Sequence, residues 1–237
     1  MILYILMALL TILALCTAIF LRKQHESTKR IGMIAWIALS VYFILEYIVI
    51  RATIVPYNIL KQPMSDLGVT SCGVQTYELA LYEICSPYHL LMNWTFTMTG
   101  IITFVGAIFL HQFWPNKRGT RIATVLLVIF GLSYGVSGVF PADLNFLIHT
   151  FASLPGMFVQ IPALILIGLA IRKPMPKLSK WTFFSVFLTT GSLILIFLQP
   201  MFTVLPGGLL QRILYGSVWL WMIVMAIVLW KNNEVSR

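Results

Sequence analysis

Seven uncharged or nearly uncharged runs divide the chain, at about 2–21, 31–50, 89–110, 122–140, 149–171, 181–199 and 209–230. Each is close to the roughly 20 apolar residues needed to cross a hydrocarbon core about 30 Å thick. The pattern predicts an all-α, polytopic transmembrane helix bundle forming a single membrane domain over residues 1–237. The fifth run is interrupted by Pro155 and Pro162, and the seventh carries Gln211 and Arg212 in its first turn. The first run lacks a basic leader and a small-x-small cleavage site, so it reads as a retained span rather than a signal peptide. The one long connection, 51–88, holds a turn-prone stretch around Pro63 to Gly68. After it come Val74, Tyr77, Leu81 and Ile84 at helical spacing, which predicts a short interfacial amphipathic helix at about 74–85.

Charge gives the bundle an expected orientation. Of the 16 basic residues, 13 fall in alternate connections: Arg22, Lys23, Lys29 and Arg30; Lys117, Arg118 and Arg121; Arg172, Lys173, Lys177 and Lys180; Lys231 and Arg237. Under the positive-inside rule these connections are cytoplasmic, placing the N-terminus outside and the C-terminus inside. Acidic residues divide the other way, with Glu46, Asp66, Glu78, Glu83 and Asp143 on the outer side. A composition of 59% hydrophobic and 10% charged residues excludes a soluble globule. The net charge of +9 comes from topology signals and forms no nucleic-acid motif, so the expected partners are membrane lipids and not nucleic acid. The expected location is a bacterial or archaeal plasma membrane.

Candidate chemistry gathers at the outer ends of the spans. His89, Asn93, Thr97 and Gly100 form one stripe on span three, and His149, Ser153, Gly156 and Gln160 form another on span five. Polar groups in lipid face the bundle interior, so the two stripes are candidates to line one outward-opening cavity. The competing reading makes the hydroxyls and amides interhelical glue, with Gly131, Gly135 and Gly138 allowing close approach in span four. Asp143 either caps span five or orients His149 as an acid/base pair. Ser65 and Asp66 either make an ordinary turn or fold back over the cavity. Glu46 and Arg212, each about one turn inside the outer boundary, are candidates to pair with each other, or Arg212 with Asp143, or either to bind a lipid headgroup, with Arg212 as a phosphate contact.

Cys72 and Cys85 share the outer loop, where a disulfide is permitted; the alternative is two free or metal-binding thiols. Cys16 lies in lipid and is expected to be inert. No cofactor is expected and no metal site is assigned. A haem or a zinc ion at His89 and His149 is the remaining option, without any His-x-x-x-His or His-Glu-x-x-His spacing to support it.

Three segments carry a resemblance: Met64-Ser65-Asp66-Leu67-Gly68; Asn93-Trp94-Thr95-Phe96; and Gly138-Val139-Phe140-Pro141-Ala142-Asp143 followed by His149-Thr150. In that order and spacing they resemble the integral-membrane family known as domain of unknown function 998, over roughly 35–230. More distantly, the Ser-Asp-x-Gly loop is similar to the Frag1/DRAM/Sfk1 membrane proteins, some linked to lipid remodelling or lipid asymmetry. That likeness implies a role toward outer-leaflet lipid. Span seven and the Cys72/Cys85 pair map onto neither family's motifs. The functions in contention are a lipid-headgroup binder or membrane enzyme, a small-solute transporter or channel, and a structural or partner-binding protein. Oligomeric state is not legible.

Overall fold

In the computed structural model, residues 1–235 are described; Arg237, counted above among the basic residues, lies outside them. Among the described residues seven helical spans are long and apolar enough to cross a membrane. They are α1 (Ile2–Leu21), α2 with α3 (His25–Ala38 and Ser40–Arg51), α4 (His89–Leu110), α5 (Arg118–Val139), α6 (Phe146–Ala170), α7 (Pro176–Leu198) and α8 (Gly207–Val235). The second span is broken at Leu39, whose N–H bonds back to the Trp36 carbonyl at 3.3 Å. Span six begins earlier than expected because Pro176 starts α7, at a position where its missing N–H costs no helical hydrogen bond.

Six spans form a ring in the order α4, α5, α6, α7, α8 and α2/α3, closing back onto α4, while α1 lies outside against α4 and α5. Aromatic rings from four helices fill the centre. Tyr42 of α3 and Trp219 of α8 have centroids 4.3 Å apart, and Tyr134 of α5 sits 5.0 Å from Trp219, 5.1 Å from Tyr215 and 5.6 Å from Phe96 of α4. Such offset and edge-on contacts add to the packing between helices that lipid itself does not drive together.

The expected close approach in α5 is present. A side chain at Gly100 would run into the backbone of Gly131 and Gly135, and one at Gly138 into the Asn93 carbonyl and Thr97. Small hydroxyls and indoles then join neighbouring helices: Trp36 Nε1 donates to the Thr103 carbonyl at 3.1 Å, Trp221 Nε1 to Thr182 at 2.8 Å and Thr189 to the Leu214 carbonyl at 2.9 Å. Ser133 of α5 inserts into α6, donating to the Ala152 carbonyl and accepting from Gly156 N–H at 2.9 Å. It thereby bridges α5 to α6 one residue past the Phe151 carbonyl that Pro155, lacking an N–H, leaves without its helical donor, and α6 continues through both prolines.

The long connection departs from expectation. No helix forms at 74–85; Gly73–Val74 (β1) and Glu83–Ile84 (β2) pair antiparallel, with Gly73 opposite Ile84. The Cys72–Cys85 disulfide, spanning 13 residues, closes the hairpin, and Gln75 takes a left-handed φ of 58° that starts the turn. A cross-link closing such a loop is worth roughly 3 kcal/mol in the chain-entropy view. Tyr77 and Tyr82 both reach the Asp66 carboxylate. On a helix, residues five apart would point about 140° away from each other, so that shared partner is incompatible with the expected helix. Met64–Gly68 makes a 3₁₀ turn beneath the hairpin.

If α4 and α5 touch through glycine, a methyl there cannot be absorbed. Gly100→Ala is expected to cost at least about 1–3 kcal/mol, whereas Gly191→Ala, with open space around it, is expected to be neutral or to gain up to about 1 kcal/mol from helix propensity. Apparent melting temperatures of the two variants in one detergent check this.

Candidate functional site

The end of the bundle that carries residues 52–88 is capped by that connection, and side chains planted in the helices hold the cap. Arg212, in the first turns of α8, has Nε 3.0 Å from Glu46 Oε1 of α3. Its Nη1 donates to the carbonyls of Ile59 (3.1 Å), Gln62 (3.1 Å) and Gly208 (2.9 Å), and Nη2 to the Tyr57 hydroxyl at 2.6 Å. Both charged side chains are nearly buried, 11% and 9% exposed. Of the partners open to Arg212, the structure selects Glu46. Asp143 is not its partner; that carboxylate bonds Thr70 and Ser71 instead.

Asn93 donates to the Gly68 carbonyl at 2.8 Å, a contact that leaves no room for a side chain at position 68. Next to Arg212, Gln211 accepts from Met64 N–H at 2.8 Å. One Asp143 oxygen takes four donors: Thr70 N–H (2.9 Å), Thr70 Oγ1 (2.7 Å), Ser71 N–H (3.2 Å) and Ser71 Oγ (3.2 Å). Asp143 therefore neither caps α6 nor orients His149. The cap is Asn145, whose side chain accepts from Ile148 N–H at 3.0 Å, and the orienter of His149 is the Phe140 carbonyl, 2.8 Å from Nδ1. The Ser137 carbonyl, deprived of its helical donor by Pro141, also faces the ring. A carbonyl only accepts, so Nδ1 carries the proton in the neutral imidazole and Nε2 is the bare nitrogen.

Asp66 is buried, with Tyr77 and Tyr82 donating to it at 2.5 and 2.7 Å and the Gln62 amide 3.4 Å away. Burial pushes its carboxyl pKa up, and these three donors pull it partly back. Both tyrosines are held above their ordinary range, first by burial and then by the carboxylate.

What remains open is a cleft of ≈ 380 Å³ between the cap and α6, α7 and α8. Its polar lining comes chiefly from Lys61, Ser65, His149, Ser153, Gln199 and Gln211, with Phe146 and Ile196 on the apolar side. Ser65, His149, Ser153 and Gln211 also line a recess of ≈ 50 Å³ that runs inward to Ser137, Tyr134 and Tyr215. Of the two predicted stripes, only the outer half of the α6 stripe faces open space. Gly156 and Gln160 are buried, the Gln160 amide bonding the Met157 carbonyl at 3.1 Å. The α4 stripe is packing: Thr97 and Gly100 meet α5, and His89 bonds its own turn through the Ser86 carbonyl at 3.1 Å. His89 lines neither the cleft nor the recess that His149 lines, and among the described residues no three His, Cys, Asp or Glu side chains gather as a metal site.

Lys61, Gln199 and Gln211 in the lining, and Tyr57, Tyr77 and Tyr82 in the cap, were not singled out from sequence as site residues. Gln211 alone left a signal, as a polar residue in the first turn of an apolar span.

Seven apolar helices, an aromatic centre and a polar cleft at one end define a multi-pass α-helical membrane protein. The chain belongs to the family described as protein of unknown function (DUF998), whose profile matches residues 37–228. The match runs from the latter part of α2 well into α8, so the last span, which the resemblance had left aside, falls inside the family segment, while α1 falls outside it. No curated protein and no solved structure matches the chain.

Two measurements test the cap. Arg212→Met strands a buried carboxylate and releases three loop contacts, to Tyr57, Ile59 and Gln62, with an expected cost of about 3–5 kcal/mol; Glu46→Gln keeps those three contacts and is expected to cost less. Equal losses on thermal unfolding would contradict this account. For Asp66 the folded pKa is raised, so the native state binds more protons than the unfolded one between the two pKa values. Its contribution is therefore greatest below about pH 4 and falls as pH rises through the folded pKa. Relative to Asp66→Asn, the wild-type melting temperature should decline over that window and then level off.

Proposed function

We propose that this protein binds the polar headgroup of a lipid or lipid-linked molecule in the cleft beneath its cap, on the non-cytoplasmic side of the membrane. The observation that carries this reading is the combination found in one ≈ 380 Å³ space at the end of the bundle: neutral hydrogen-bonding groups on one side and Phe146 and Ile196 on the other. A cleft of that size is within the range of small-molecule sites, and its mixed lining suits an amphiphile. Ser65, Ser153, Gln199 and Gln211 offer neutral donors and acceptors, Lys61 the single ammonium, and His149 its bare Nε2. With Arg212 paired to Glu46, bonded to the cap and outside the cleft lining, the chemistry favours a hydroxylated headgroup with no more than one anionic group. The disulfide suits an oxidising compartment, which agrees with the orientation inferred from the basic connections.

In this reading His149 is the acid/base group available to a ligand, with the Phe140 carbonyl fixing its tautomer and Asp143 serving the cap. Headgroup binding is favoured over transport because the feature that suggested a pathway, the prolines of α6 beside Gln160, belongs to a packed and continuous helix.

Lipids that co-purify with the full chain in mild detergent are to be identified by mass spectrometry, and the enriched species titrated into delipidated protein. His149→Ala is expected to weaken binding about tenfold, the effect of losing one good hydrogen bond, without lowering the melting temperature of the ligand-free protein by more than a few degrees. Unchanged affinity would remove His149 from the site.

A further inference from the structure

A second cavity lies at the opposite, basic end, outside the ring, where α1 leans on α4 and α5. It measures ≈ 550 Å³ and is walled by Leu15 and Ile19 of α1, Ile108 of α4, and Val125, Val128 and Ile129 of α5. Its rim carries Arg22, His111 and Arg121. On each helix the order is the same. Arg22, Ile19 and Leu15 descend one face of α1 at i, i−3 and i−7; Arg121, Val125 and Val128 descend one face of α5; His111 stands one turn above Ile108. Three helices thus pass in step from cationic or polar to apolar, and seven residues of helix make the gradient about 10 Å deep, most of one leaflet's hydrocarbon thickness of about 15 Å.

The rim charge is uncompensated. Arg121 uses Nε and Nη2 on the neutral Asn116 oxygen at 3.2 and 2.9 Å, which leaves Nη1. Arg22 has no ion-pair partner among the described residues, and Glu26, the nearest acid in the chain to Arg22, is bridged to Lys29 at 2.8 Å. His111 bonds Thr124 through Nδ1 at 2.7 Å, leaving Nε2. No carboxylate lines the cavity. α1 itself buries only Met7, Thr11 and Ala18, so its half of the wall is not packed away against protein.

We infer that this crevice is a binding site for an anionic glycerophospholipid, its phosphate between Arg22 and Arg121 with His111 beside it, and one acyl chain along the apolar stripes of α1 and α5. Two guanidiniums are suited to phosphate oxygens because their planar forks donate in pairs, and the apolar walls below require a tail that a free anion lacks. The site is independent of the cleft beneath the cap and lies partly on α1, outside the family segment.

The test uses the full chain, delipidated in neutral detergent, with phosphatidylglycerol and phosphatidylcholine of identical acyl chains, read by native mass spectrometry and thermal shift. Phosphatidylglycerol is expected to bind about tenfold or more tightly than phosphatidylcholine, the scale of two basic side chains acting on one anionic lipid, and inorganic phosphate is expected to give no shift. The Arg22→Gln/Arg121→Gln double variant should lose the preference, and Lys177→Gln/Lys180→Gln at the same end of the bundle should keep it. Val125→Trp, at an exposed wall position, should block the lipid with the basal melting temperature retained; it decides the matter if the double variant does not fold. Equal binding of the two lipids, a phosphate shift equal to that of the lipid, or a preference that survives both crevice variants overturns the inference.

Discussion

One guanidinium holds the cap to the bundle. Residues 52–88 contain two paired dipeptides and a single 3₁₀ turn, so most of their backbone donors and acceptors have no ladder to satisfy them, and at the end of a membrane bundle unpaired backbone groups are costly. Arg212 meets that demand for 57–63 by collecting the Ile59 and Gln62 carbonyls and the Tyr57 hydroxyl. Glu46 offsets part of the cost of holding the charge there, since a nearly buried cation is stabilised by a counter-ion. The remaining anchors, Gln211, Asn93, Asp143 and the disulfide, then take up successive points along the chain, at Met64, Gly68, Thr70 to Ser71 and Cys72. The cleft exists because this sequence of anchors sets the cap over α6 and α8 at a defined height.

How much of this the sequence discloses depends on the kind of constraint. The spans are legible because bilayer thickness imposes a length on every one of them, and the glycines of α5 because close approach between helices in lipid demands small residues. The cap is not legible, since it depends on long-range contacts. Val74, Tyr77, Leu81 and Ile84 have helical spacing by coincidence; what decides their conformation is a cysteine across the hairpin and a carboxylate that two tyrosines share, and neither is encoded in local periodicity. Asp143 and His149 are close in sequence, yet a turn and a helix cap intervene, and the carboxylate faces the loop while the imidazole faces the end of α5. The Glu46–Arg212 pair stood among the sequence's alternatives because each residue sits at the same depth; the carbonyls that complete it have no side-chain signature.

Intramembrane polar residues invite functional readings, and hydrogen-bond accounting separates scaffold from site. Asn93, Asp143, Glu46, Arg212 and Asp66 look like a binding constellation in sequence, but each is committed to holding the cap. What a ligand can use is what the scaffold leaves over: Ser65, Ser153, Gln199, Lys61, the Gln211 amide nitrogen and one nitrogen of His149. Such a residue set is poorer in charge than the sequence suggested, and this shifts the expected ligand from a phosphate clamped by arginine to a largely hydroxylated headgroup.

The same accounting runs the other way at the basic end. There the sequence offered only topology signals, and a basic residue in a cytoplasmic connection needs no ligand to explain it. Arg22 and Arg121 share one crevice: each stands at the head of an apolar stripe, and both stripes descend it with His111 in the same lining. A charge that serves topology alone has no need of an unfilled apolar wall beneath it. The protein thus presents two spaces of different character, one at the capped end lined mostly by neutral polar groups with the single ammonium of Lys61, and one at the basic end lined by two guanidiniums. A lipid with a neutral, hydroxylated headgroup and a lipid with a bare phosphate would be sorted between them by that difference.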